Sequence, residues 1–444
     1  MRPTFHIHRS RAAVVTAAIT ALAAVTASAP ASAASSFSPA VQVTSWSARY
    51  HGSGSFNQPS AMAVSPDGAT LYVTGESLGK GGGTNGTVAY SAATGAVRWR
   101  DINTMGAGSA LVVSPDGSTL YVTGGGGTIA YNAATGARRW ASTAVAGDTN
   151  AISPDGSTLY VSGAVDGPHG WEYSTSGYDA ADGSSLWTTL WNRTGTSLGD
   201  QIKLSPDGAT LYLSGWTGGD SNTVAAYHTP DGSLAWQQSW HSPGGQAAPL
   251  DLAVNPDGSA VYVTGLDTPP GSQDIWATLA YDAGTGARRW LRYDRRAGDY
   301  GIFPQSIAVS PDGSAVYVTG RGVSGTGKGD FTTFDYSAAT GATVWTQRYG
   351  GRSGGNGGAA FDGVSPDGST VFVTGTPVSG GYATLGYNAA TGAQQWVRRY
   401  TPPGGAGIIT GAVNPVTDQV FVTGTSRGRT DAQQYATVAY TVTG

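Results

Sequence analysis

Residues 281–290 read Y-D-A-G-T-G-A-R-R-W. The same pattern returns at 90–99, 131–140, 178–187, 227–236, 336–345 and 387–396: Tyr, three residues, Thr or Asp, Gly, three residues, Trp. Two half-copies complete the set. Trp46 has no Tyr before it, and Tyr440 has no Trp after it. A repeat of this kind overrides any domain count drawn from the length of 444 residues.

A second motif interleaves with the first. S-P-D-G starts at Ser65, Ser114, Ser153, Ser205, Ser310 and Ser365, N-P-D-G at Asn255, and a degenerate N-P-V-T-D at Asn414. Successive copies lie 39 to 55 residues apart. Pro presets φ for the first central residue of a type I turn, and Gly takes its exit. A short apolar run precedes each turn, as at 61–64, 202–204, 252–254 and 307–309. L-Y-V-T-G or a close variant follows it, as at 71–75 and 316–320. Runs rich in β-branched and aromatic residues that end in Gly are strands. A third strand carries T-V-A-Y, as at 87–90 and 437–440, and the A-A-T-G turn leads to a fourth that bears the Trp.

Each unit is therefore four antiparallel strands, A to D. Eight units of about 50 residues predict an all-β, eight-bladed propeller, because radial stacking buries both faces of every blade on its neighbours. The unmatched ends predict how it closes. Residues 41–50 are a D strand without a blade, and the last unit stops after strand C. The N-terminal strand should complete blade eight and cover two open edges. Arg138, Arg139, Arg288, Arg289, Arg398 and Arg399 stand beside the Trp on outer strands, where charge discourages edge-to-edge pairing.

Gly supplies 68 residues and charged residues only 12%, against a usual share of about 25%. The chain has no Cys, which excludes disulfides, thiolate metal sites, Cys nucleophiles and a lipidated N-terminal Cys. Arg2, Arg9 and Arg11 precede an apolar run at 12–25, and Ala31-Ser32-Ala33 follows. That is the order of a secretory signal over 1–33, with 34–40 as a linker to a single domain at 41–444. The apolar run is well short of the roughly 20 residues that span a bilayer. Losing the signal removes three Arg and no acid, so the net charge moves from −4 to −7. A phosphate-neutralising surface is not expected.

The element Ala-Tyr-Asn/Asp/Ser-Ala-x-Thr-Gly-x-x-x-Trp resembles the tryptophan-docking motif of quinoprotein-type, PQQ-like eight-bladed propellers. L-Y-V-T-G with S-P-D-G also resembles repeats of secreted bacterial propellers. The resemblance covers 41–444. It implies that Trp46, Trp99, Trp140, Trp187, Trp236, Trp290, Trp345 and Trp396 wedge between blades, near the turn Gly of the same motif. In quinoprotein dehydrogenases it would imply PQQ over the channel with Ca²⁺ beside it, a catalytic Asp and often a vicinal Cys pair. No such Cys pair or catalytic block is present here. The family's non-catalytic lipoprotein relatives in outer-membrane assembly use a lipidated Cys that this chain also lacks. The resemblance favours a scaffold.

Variable D–A and B–C loops share one side of the propeller, opposite the near-constant S-P-D-G and A-A-T-G turns. The longest are read at 163–177, 266–276, 291–305, 347–359 and 425–435. Loops on a constant scaffold are where binding sites lie. Asp148, Asp200 and Asp251 stand at the start of strand A in three consecutive units, with Gln201 and Gln305 nearby and Asp362 further along. Carboxylates and amides converging on a channel mouth suit Ca²⁺ or another hard cation, and equally suit capping of backbone N–H groups. Trp171 and Trp216 fall outside the docking motif, with His169, Glu172 and Asp220 beside them. They are candidates for a sugar or peptide platform. His51, His169, His228 and His241 show no metal-ligand spacing, and no nucleophile elbow or phosphate loop is evident.

These readings predict a monomeric, secreted, non-catalytic propeller, free or attached to the cell wall. It would bind a protein or polysaccharide on its loop face, without a membrane span, nucleic-acid partner or required cofactor. The alternative is a PQQ-dependent dehydrogenase, or another propeller hydrolase or lyase, with its site at the central channel.

Overall fold

The computed structural model describes residues 41–444 apart from 53–55, 80–81, 168–169, 192–197, 218–220, 241–245, 269–274, 295–298, 325–328, 351–356, 378, 403–404, 428–431 and 444. The expected signal and linker, 1–40, lie outside the described residues. Among the described residues, thirty-two strands form eight four-stranded antiparallel sheets, and no helix is long and apolar enough to cross a membrane.

The inner A strands of blades one to eight are Phe56–Val64, Gly108–Val113, Thr149–Ile152, Leu198–Leu204, Gln246–Val254, Asp299–Val309, Gly358–Val364 and Ala406–Val413. Each contacts the next around the ring, and the eighth contacts the first. The closure is the expected one. Gln42–Tyr50 pairs antiparallel with Gln433–Thr443, matching Gln42 to Thr443, Trp46 to Ala439 and Tyr50 to Tyr435. It becomes strand D of blade eight.

Two rings of contacts join the blades. In the first, each docking Trp crosses to the next blade. Its Nε1 donates to a backbone carbonyl there: Trp46 to Ala92 at 2.8 Å, Trp99 to Ala133 at 2.8 Å, Trp236 to Ala283 at 2.9 Å and Trp345 to Ala389 at 2.8 Å. The indole covers the turn glycine of that same next blade, as Trp99 covers Gly136 and Trp345 covers Gly392. The glycine therefore belongs to the following copy, not to the Trp's own motif as the resemblance implied. A D strand can wedge only against the blade that its own blade faces. Trp396 is the exception. Its Nε1 is buried without a hydrogen-bond partner.

Inside each sheet the docking Trp is paired with a small residue on strand C. Its register partner is Ala89, Ala130, Gly177, Ala226, Ala280, Gly386 or Ala439 in seven blades, and Asp335 in the sixth.

The second ring is made by the S-P-D-G turns. In the first, the Asp67 carboxylate accepts from the Ser65 hydroxyl and the Ala69 N–H, and the Ser65 Oγ accepts from the Thr70 N–H. The Asn variants reach outward instead. Asn255 Nδ2 donates to the Gly313 carbonyl at 3.2 Å, and Asn414 Nδ2 to the Gly68 carbonyl at 3.0 Å. The latter bond ties blade eight to blade one.

The stretch read as a loop at 163–177 is mostly paired strand: Thr158–Gly167 and Gly170–Asp179 form one long hairpin. Its alternating Ser, Thr and Tyr residues continue the period of two, so it stays in the ladder.

Candidate functional site

Strand A carries a β-bulge where it enters the channel. The register shifts across Pro59/Ala61, Gly108/Ala110, Gly199/Gln201, Pro249/Asp251, Pro304/Ser306, Ala359/Phe361 and Ile408/Thr410. The extra residue points away from its neighbours' direction. This one feature sorts the candidate acids and amides into three sets.

Asp200 and Gln305 are the extra residues of their bulges. Asp148 holds the same repeat position, directly before Thr149, which pairs with Ser162. Asp148 is exposed and its N–H bonds the Ser162 carbonyl at 2.8 Å. Gln305 is exposed too, and borders a recess of about 390 Å³ with Phe303, Arg321, Thr376 and Ile408.

Gln201 and Asp251 stand one residue further along and face the channel. Their counterparts are Ala61, Ala110, Thr149, Ser306, Phe361 and Thr410. Asp251 spans to the next blade. Its Oδ1 accepts from its neighbour's Leu252 N–H at 2.9 Å, and its Oδ2 accepts from the Ile307 N–H of blade six at 3.1 Å. Burial raises the Asp251 carboxyl above its usual range; Lys203 of blade four and these N–H groups work against that rise. The residue as a whole is half-buried, but the carboxyl lies inside.

Asp362 is one residue further again. Among its counterparts Met62, Leu111, Ile202, Leu252 and Ile307 are apolar and turn between the blades, while Asn150 is polar and Gly411 has no side chain. Asp362 turns there too and is 3% exposed. Its N–H donates to the Ser306 hydroxyl of blade six at 3.3 Å, while both carboxyl oxygens lack a good hydrogen bond. Burial, reinforced by the Asp251 charge, pushes Asp362 up to about 8; the nearby Ser306 hydroxyl only softens the rise. Asp362 is thus held neutral at pH 7. Phe361 beside it covers the backbones of Gly363 and Gly411, where a Cβ would fall within 2.9 Å and 2.5 Å of the ring.

The inner strands therefore share one device. A polar side chain of one blade caps a free N–H of the next: Asp251 caps Ile307, and Ser306 caps Asp362. Among the described residues no three His, Asp or Glu side chains gather closely enough to hold one metal ion. The wall also suits PQQ poorly. PQQ carries three carboxylates, and the eight inner strands offer it Lys203 as their single basic residue.

On the loop face the blades differ in height. The B and C strands of blade two, Thr119–Gly124 and Gly127–Asn132, have six residues each. Those of blade one, Thr70–Gly79 and Gly82–Ser91, have ten, as do those of blade three. All three B strands begin at the same repeat position, so the difference lies wholly at the loop end. Four residues at about 3.4 Å each make roughly 14 Å of extra strand on both sides of blade two. The result is a notch.

Trp171 stands at the tip of the blade-three hairpin, paired with Asp166 one step from its end. Glu172 is buried, at 3% exposure, and its Oε2 has no partner. Trp216 stands one residue before the end of strand B of blade four, paired with Leu198 and Asn222. His169 and Asp220 lie outside the described residues. Sequence reasoning missed Ser306, Lys203 and Phe361, which share strand A with the candidates at fixed distances from S-P-D-G.

Three overlapping stretches, 84–250, 176–327 and 277–437, match the PQQ-like repeat model described as outer membrane protein assembly factor BamB. The chain belongs to this family. No curated protein matches the sequence. Among solved structures, the PQQ-like chain is similar to hydrazine synthase of Kuenenia stuttgartiensis. The TM-score is 0.52 at 18% identity, covering 80% of this chain and 97% of that one. It is also similar to Sqt1 of Saccharomyces cerevisiae, with a TM-score of 0.60 at 14% identity, covering 87% and 97%. At such identities the likeness is one of fold.

Proposed function

We propose that this PQQ-like propeller is an exported, monomeric, non-catalytic scaffold that binds a protein or polysaccharide outside the cell on its loop face. The notch at blade two carries the reading. It is a concave feature on the side where loops vary, flanked by two long hairpins, one with Trp171 at its tip. The channel supports the same reading from the other direction, because Asp251 and Ser306 serve the backbone of neighbouring blades. Export rests on the basic and apolar pattern of 1–33, and a net charge of −7 after its removal disfavours nucleic acid.

The test replaces 165–172 by Gly-Gly, which gives blade three a hairpin near the height of blade two. Binding to soluble polysaccharides, peptidoglycan and surface-protein extracts is then compared with the unaltered protein. Loss of one binding activity with an unchanged melting temperature supports the notch. Unchanged binding removes it.

The second reading, a PQQ-dependent dehydrogenase, is favoured by family membership and by Asp251 on an inner strand. Mixing the protein with PQQ and Ca²⁺, desalting, and reading retained absorbance separates the two. Ca²⁺-dependent retention would favour the enzyme.

A further inference from the structure

The opposite face, where the S-P-D-G turns lie, holds a groove between blades six and seven with a cavity of about 430 Å³. That falls in the roughly 300–1,000 Å³ range of small-ligand sites. Its lining includes Asp335, Tyr317, Asp312, Asp367, Val344 and Ala389.

Three observations describe this groove, and the first two set it apart from its counterparts. The first is the register. Seven blades place Ala or Gly opposite the docking Trp, and blade six places Asp335 opposite Trp345. A carboxyl here replaces the small residue that the other seven blades set against the indole. The second is its state. Asp335 is 3% exposed, lines the cavity, and its Oδ1 has no hydrogen-bond partner. A buried carboxyl oxygen with no partner is costly and calls for an explanation. The third is Tyr317. At this repeat position Tyr72, Tyr121, Tyr212 and Tyr262 donate their hydroxyls to an alanine carbonyl of the next blade, at 3.1, 3.0, 3.2 and 3.5 Å. Among the described residues Tyr160 and Tyr317 make no such bond. The Tyr317 hydroxyl instead feels the charges of Asp335 and Asp312.

The rim is anionic. Hydrogen bonds from Ser310 and Ser314 hold the Asp312 carboxyl low, and those from Ser365 and Ser369 do the same for Asp367. The walls beside them, Val344, Ala389 and the Tyr317 ring, are apolar. The carboxyls do not meet around one metal ion among the described residues. The chemistry that satisfies all of this is a compact cation on an apolar stem. The equivalent groove between blades three and four, about 350 Å³, has Gly177 at the Asp335 position and offers an internal comparison.

We propose that the groove between blades six and seven binds a primary alkylammonium group, with Asp335 as its floor and Asp312 and Asp367 at its rim. The group is a lysine side chain presented by a protein or a free aliphatic amine. The ammonium donates to the Asp335 carboxylate while the stem lies along Tyr317 and Val344.

The binding has a pH signature. The groups facing Asp335 are Tyr317 on strand B, Asp312 in the same blade's turn and Asp367 in the next blade's turn. Burial holds the Asp335 carboxyl up to about 7, so it is partly protonated at neutral pH. A cation favours the ionised form. Binding should therefore weaken as pH falls below 7, and should release protons at pH 6.5.

The experiment titrates the intact protein calorimetrically at pH 7.5 with n-butylamine, with Nα-acetyl-lysine methylamide, and with CaCl₂. At pH 6.5 it uses two buffers of different ionisation enthalpy. Saturable amine binding is expected, with at least a tenfold loss in Asp335→Ala and Asp335→Asn. Asp335→Ala supplies the residue that five other blades already carry, so the variant should fold with an equal or higher melting temperature. Tighter binding of the lysine derivative than of butylamine assigns the site to a protein partner, and the reverse order to a free amine. No saturable amine binding, equal binding by Asp335→Ala, or binding of CaCl₂ alone would overturn the proposal.

Discussion

The indole of Trp290 lies on Gly341 of the following blade, where an added Cβ would fall 2.7 Å from the ring. Gly341 also has φ +66°, in the left-handed region. Both facts make glycine obligatory there. Gly341→Ala should cost the backbone penalty of about 1–2 kcal/mol and a steric penalty of about 1–3 kcal/mol more. Gly117 has φ +71° but only ordinary contact with Pro66 at 3.7 Å, so Gly117→Ala should cost the backbone penalty alone. Chemical unfolding of the two variants measures the difference. Equal losses would mean that the indole contact adds nothing.

Trp99 and Trp396 make a second pair. The Trp99 Nε1 donates to the Ala133 carbonyl, and the Trp396 Nε1 has no partner. Trp99→Phe keeps most of the ring but removes one of the two donors to that carbonyl, which keeps the Tyr72 hydroxyl at 3.1 Å, so the cost should be about 0.5–1.5 kcal/mol. Trp396→Phe removes an unsatisfied donor and should be nearly neutral. Melting temperatures of both variants check this.

Asp362 makes stability depend on pH. An unfolded Asp ionises near 4, and the folded one is held up to about 8. Between these values the folded state binds more protons, so stability falls as pH rises, by at most about 1.4 kcal/mol per unit. Below 4 both states are protonated and the penalty is absent. Asp362→Leu restores the apolar residue type of Leu111 and Leu252. It should raise stability at pH 8 and flatten the profile, which urea titrations at pH 5 and pH 8 would read.

Deleting 41–50 removes strand D of blade eight and bares the Gln433–Thr443 edge. An open edge with Val438 and Tyr440 beside it should aggregate. A synthetic peptide of 41–50 added during refolding should restore a soluble species by strand addition, seen by size-exclusion chromatography. A soluble, cooperatively folded deletion variant would contradict the closure.

The fold was legible because the chain states it eight times. Tyr, Gly and Trp mark strands C and D, and S-P-D-G with L-Y-V-T-G marks A and B. The channel was legible only in part. Asp148, Asp200 and Asp251 look equivalent when read as starts of strand A, but a bulge makes one residue of offset decisive. Counting back from the turn separates them: Asp148, Asp200 and Gln305 stand five before its Ser, Asp251 four before Asn255, and Asp362 three before Ser365. Asp335 was also readable, as the one acid directly before a motif Tyr. The heights of the blades were not, because Gly-rich and Ser-rich hairpin ends look like loops until their pairing is seen.

Because Gln42 and Thr443 face each other as register partners, the two ends of the propeller strands meet inside one sheet. The ring is continuous everywhere except for a single missing peptide connection. A short linker from 443 to 42 would supply it, and the polypeptide could then be opened between any two blades. Each such permutant would carry its own split blade, and ranking their stabilities would tell which of the eight interfaces best tolerates a seam.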